Sequence, residues 1–137
     1  MKTVAALVLI LAVTGCGAAA SDSSKSFDGE ERAVARAVED LEQAGRDGSE
    51  KRVCSELLAA SLLTALEKQG TTCTTAVKEA LQDTDSFDLD VEDVTIGGTR
   101  ATAKVKSGRS GDSQKTDTLT LARDGSAWKI ASLGGAG

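Results

Sequence analysis

The chain predicts an α+β fold in which helices come first and an antiparallel sheet follows. Three observations carry this. Apolar residues recur at steps of three and four from Ala33 to Leu81, the period of helices with one buried face. From Phe87 to Ile130 the period drops to two, as in strands with one face covered. Glycine-containing pairs then fall where successive strands would reverse. Helices followed by strands pack as layers of one domain, so the expectation is three or four N-terminal helices on an antiparallel sheet of about four strands.

Each element has its own signal. Asp28 with Glu31 three residues on reads as a capping box that opens a helix at about Gly29. Ala33, Val34, Ala37, Val38, Leu41 and Ala44 form its apolar stripe, while Arg32, Arg36, Glu39, Asp40 and Glu42 are assigned to the solvent face. Gly45 to Gly48 end it. A second helical stretch from Ser49 carries Val53, Cys54, Leu57 and Leu58, and a third carries Leu62, Leu63 and Leu66. The residues leave open whether Ala59-Ala60-Ser61 breaks or joins these two. Gly70 closes the third, and Thr71 or Thr72 caps a fourth helix holding Cys73, Ala76, Val77, Ala80 and Leu81.

In the strand half, Phe87, Leu89 and Val91 alternate with Asp88, Asp90 and Glu92. The phase slips at Asp93-Val94 before Val94 and Ile96 resume it, which marks a bulge. Gly97-Gly98 is the expected hairpin turn, returning through Ala101, Ala103 and Val105 inward and Arg100, Thr102, Lys104 and Lys106 outward. After a polar loop from Ser107 to Gln114 come Leu119 and Leu121, a turn at Arg123 to Ser126, then Trp128 and Ile130. Residues 134–137 read as a loose tail.

The N-terminus states a location. Met1-Lys2-Thr3 precedes ten apolar residues, Val4 to Val13, then Thr14-Gly15-Cys16. Such a run is shorter than the ~20 residues that span a bilayer and has the form of an export signal. Val13-Thr14-Gly15-Cys16 resembles the bacterial lipobox, which implies a signal peptide of residues 1–15, cleavage before Cys16 and a diacylglyceryl group on its thiol. Cleavage further on, after Ala20, would discard Cys16, and an uncleaved anchor is the other alternative. With Cys16 acylated, Cys54 and Cys73 remain as an even pair in an oxidising compartment, where a disulfide forms readily. Their spacing is far from a redox Cys-x-x-Cys pair, so the reading is structural. Residues 16–27 are then a lipidated cysteine and flexible tether, and residues 28–133 the domain. The expected site is a cell membrane, lipid-anchored, on the extracytoplasmic side.

The order of these pieces is that of a known family. A Cys in the second helix and another opening the last, the hairpin Val94 to Ala103, and the run Asp124-Gly125-Ser126-Ala127-Trp128-Lys129-Ile130 resemble lipid-anchored bacterial members of the nuclear transport factor 2-like superfamily. The resemblance spans about residues 28–133. It implies a cone-shaped, cystatin-like domain of the SnoaL-like kind, with a curved sheet around helices. Fold alone assigns no chemistry. Isomerases of that family pair Asp with Tyr, and its dehydratases use His with Asp; this chain contains no His and no Tyr. No catalytic residue, cofactor or metal is therefore expected, and a Ser or Cys nucleophile would lack its imidazole base.

Charge narrows the partners. The net charge of −5 argues against nucleic acid, which wants a basic face. The acidic run Asp83, Asp85, Asp88, Asp90, Glu92 and Asp93 lacks the calcium-loop pattern, because Phe87 stands at the third ligand position with no Gly next. A solvated strand face opposite Lys104 and Lys106 is expected instead. The function expected is non-catalytic: a tethered domain that binds a small apolar ligand or an envelope protein, against an enzyme built on a buried carboxylate.

Overall fold

The computed structural model describes residues 22–82, 88–108 and 114–133. A 3-10 turn, Ser23–Ser26, leads into α1, Gly29–Arg46. Then come α2, Glu50–Arg52, continued by a π-helical turn, Val53–Leu57; α3, Ala60–Lys68; and α4, Cys73–Gln82. The strands are β1, Leu89–Gly97; β2, Arg100–Ser107; β3, Lys115–Asp124; and β4, Ala127–Ser132. They form one open antiparallel sheet in chain order, so the architecture is α+β. Among the described residues no helix is long and apolar enough to cross a membrane.

Glycines set where the helices stop. After α1, Gly48 takes a φ of 63°, which an L side chain resists. Its N–H donates to Gly45 O and the Ser49 N–H to Ala44 O, so two carbonyls at the helix end are satisfied. The same pair of bonds recurs after α3, where Gly70 has a φ of 80° and Thr71 N donates to Leu66 O. At the start of α4 the Thr72 hydroxyl accepts from Thr75 N at 3.2 Å, which selects Thr72 over Thr71 as cap.

The capping box at Asp28 does not form. Asp28 is the N-cap by backbone, yet its carboxylate makes no cap bond and pairs with Arg32 at 3.1 Å. Residues 22–27, expected as part of the tether, contact the domain. Ser24 is buried and its N–H donates to Glu39 at 2.7 Å, while the Ser23 hydroxyl accepts from Val91 N. Residues 22–27 thus belong to the folded body, because a small polar segment can serve as a set of hydrogen-bond partners for a strand edge.

α1 is the helix around which the core closes. Its buried face holds Val34, Ala35, Val38, Leu41, Glu42, Ala44 and Gly45, against β1, β2 and β4. At 100° per residue, Glu42 falls about 80° from Val34, between Val38 and Ala35. The buried arc is therefore rotated from the expected stripe: Ala33 is exposed, and Glu42, assigned to solvent from the sequence, has no exposed surface at all.

Between α2 and α3 the chain breaks. Leu58 makes a parallel bridge to Ile130, and Ala59 N donates to Ile130 O at 2.7 Å. The link therefore runs as a short strand-like segment along the free edge of β4. The π-turn before it holds Cys54, which is bonded to Cys73 at the first residue of α4 with the two Cα atoms 5.9 Å apart.

The sheet follows the alternation. Leu89, Val91, Ala101, Ala103, Val105, Leu119, Leu121, Trp128 and Ile130 are buried under the helices. The bulge lies at Glu92, between the paired positions Val91 and Asp93. Both turns have two residues with glycine first, Gly98-Thr99 and Gly125-Ser126, each glycine at a φ of 62°. The first turn is thus one residue later than expected, since Gly97 pairs with Arg100 and stays in the ladder. A left-handed first residue matches the right-handed twist of a hairpin. Both edges are covered in part: Glu42 and Ser23 side chains accept from Leu89 N and Val91 N on β1, and the α2–α3 link lies on β4.

Candidate functional site

The inner face of the sheet is not covered evenly. Along one half, α1 covers β1, β2 and β4, and the small side chains Ala101 and Ala103 are buried in the core there. Toward the other half, α3 and α4 stand over larger residues and a cavity of about 270 Å³ remains. Leu62 and Leu66 from α3, and Ala76, Val77, Ala80 and Leu81 from α4, form one wall. Leu89, Val105 and Leu119 from β1, β2 and β3 form the floor. Leu41, Val53 and Leu58 close the back, and the half-exposed Leu133 stands at the mouth.

Among the described residues a single ionisable one lines this space. Asp117 shares the parity of Leu119 and Leu121 on β3, so it lies on the helix-covered face, opposite Val105. It sits where the helical cover runs out and is exposed. Such a cavity is close to the lower end of ordinary ligand-pocket volumes and has their usual make-up, apolar walls with a polar group at one point.

The buried carboxylate lies nearby but is committed elsewhere. Glu42 accepts from Leu89 N at 2.8 Å and pairs with Arg46 at 2.9 Å, and the same guanidinium also binds Asp88. The helical angle alone places Glu42 inside once the buried arc passes through Ala35. Its role is to hold β1 against α1.

A second polar cluster ties α1 to the far hairpin. The Trp128 indole donates to Glu30 at 2.9 Å, Arg123 also donates to Glu30, and the guanidinium lies 5.0 Å from the Trp128 ring centre. The indole bond, then Arg123, hold the Glu30 carboxyl below its ordinary value of 4.5. The two contacts to Glu30 are not visible in the sequence, because the partners are separated by 93 and 98 residues.

The remaining expected residues are placed as follows. Cys16 lies outside the described residues, as do Asp83, Asp85 and Phe87. Cys54 and Cys73 are joined. On the outer sheet face Lys106 binds Glu92 at 2.6 Å, which raises the ammonium above its ordinary pKa, while Asp88 turns to Arg46. Among the described residues no group of three or more His, Cys, Asp or Glu is disposed to hold a metal ion. No family model, curated protein or solved structure matches this chain, so the apolar cavity and its one carboxylate are the features from which a function follows.

Proposed function

We propose that this protein is a lipid-anchored extracytoplasmic lipoprotein whose domain binds a small apolar ligand without chemical conversion. The cavity between α3, α4 and the sheet carries the reading. Apart from Asp117 at its edge, its walls are Leu, Val and Ala, which supply transfer free energy to an apolar guest at about 25 cal/mol per Å². The fully buried acid, Glu42, is engaged by a backbone N–H and a guanidinium, the arrangement of a structural carboxylate. Export and anchoring rest on the apolar run Val4 to Val13 and on Cys16, through whose acyl chains membrane lipid is the first partner. The cone-shaped, nuclear transport factor 2-like form of the domain belongs to the same proposal, supported by helices on one face of a four-stranded antiparallel sheet.

The ligand test is displacement of a neutral fluorescent naphthylamine from the purified protein. Ala76→Trp, which puts an indole into the cavity from α4, is expected to abolish probe binding while the far-ultraviolet circular dichroism stays unchanged. Equal binding by the variant overturns the reading. Intact mass of protein from the native envelope tests the anchor: acyl mass on Cys16 is expected, and a mature chain without it refutes that part.

A further inference from the structure

The cavity has a polarity that its apolar walls alone do not impose. Among the described residues Asp117 is the only charged one that lines it, and it is exposed. Among the described residues Asp117 has no ion pair and no side-chain hydrogen bond, whereas Asp88, just before β1, and Glu92 on β1 both have cationic partners. Lys115 lies one step further out on the same strand face, beyond the lining, and is not within ion-pair distance of Asp117. An apolar guest seated under α3 and α4 therefore presents its polar end to an uncompensated carboxylate.

Volume limits the guest. At roughly 30 Å³ per water-sized group, a space of this size encloses a single chain of about eight to ten heavy atoms.

We propose that the cavity takes a single alkyl chain of about that length ended by an ammonium group, with the Asp117 carboxylate as counter-ion. This rests on the cavity being a ligand site and adds the chemistry of the ligand. The carboxylate repels a fatty acid head of equal charge and leaves an alcohol head neutral. Because Asp117 is exposed, the ion pair contributes modestly: an exposed pair corresponds to about threefold in affinity at low salt, fading as salt screens it. Selectivity between heads is thus small and ordered, while the chain supplies most of the binding.

The experiment is calorimetric titration of residues 16–137 in full, with Cys16→Ser so that no acyl chain competes, against decylamine, decanol and decanoate below micelle formation at pH 7. The expected order is amine, then alcohol about threefold weaker, then carboxylate weaker by a similar factor again. Asp117→Asn is expected to bring the three together, and Lys115→Gln is expected to leave the amine ahead. Decanoate binding as tightly as decylamine, or an unchanged order in Asp117→Asn, overturns the ammonium assignment while leaving the cavity a ligand site. Binding of none of the three overturns both.

Discussion

Glu42 offers the sharpest test of how the fold is held. Replacing it by Ala removes the acceptor of the Leu89 N–H and the partner of Arg46 inside a core where the side chain has 0% exposure. An unsatisfied buried donor costs about 1–3 kcal/mol, and breaking a buried ion pair costs about 3–5 kcal/mol. Arg46 keeps Asp88 and its side chain is 27% exposed, so the orphaned guanidinium is not stranded and the lower figure applies. The expected loss for Glu42→Ala is about 3 kcal/mol, a large share of the 5–15 kcal/mol typical of a whole domain. Glu42→Gln keeps an acceptor and loses the charge, so about half that loss is expected. Urea unfolding followed by the fluorescence of Trp128, the chain's single tryptophan, reads both. Glu31→Ala, on the exposed face of the same helix, is the control and should stay within about 0.5 kcal/mol. A loss below about 1 kcal/mol for Glu42→Ala would refute the reasoning, since only a solvated carboxylate is removed so cheaply.

Three further outcomes follow from the same structure. Reducing the Cys54–Cys73 bond, or Cys54→Ser with Cys73→Ser, opens a loop with a sequence separation of 19 and should lower unfolding stability by about 3 kcal/mol in the chain-entropy account; equal urea midpoints with and without reductant would contradict it. The Glu30 carboxyl is held below 4.5 when folded, so its contribution is present above that pH and lost as pH falls through the lower folded value. Trp128→Phe removes the largest cause, and carboxyl titration by NMR should show the Glu30 midpoint moving up. Gly98→Ala and Gly125→Ala each force a methyl-bearing residue to a φ of 62° with no atom within 4 Å of the new carbon, so each should cost about 1–3 kcal/mol by backbone strain alone, measured as a shift in urea midpoint at unchanged slope.

Local order is written in short stretches of the chain. The switch from helical to strand period, the helix stops at Gly48 and Gly70, the bulge beside Asp93 and the glycine-first turns all depend on residues a few positions apart, and backbone sterics decide them. The pairing of Cys54 with Cys73, expected from the sequence on the condition that Cys16 carries lipid, is present in the structure. Some local signals yield to neighbours in space. Asp28 gives its carboxylate to Arg32, and the six residues before α1 become partners of Glu39 and β1.

What the sequence alone determined was the element order, the α+β class and which strand residues face the helices, because periodicity and turn chemistry are properties of short stretches. Only the tertiary structure decided that Glu42 is buried, that Glu30 clasps Trp128 and Arg123, and that the cavity lies under α3 and α4 with Asp117 at its mouth. Those features join residues as far as 98 positions apart. Their placement depends on the angle at which α1 crosses the sheet and on how closely Ala101 and Ala103 let it approach, quantities that no local pattern encodes.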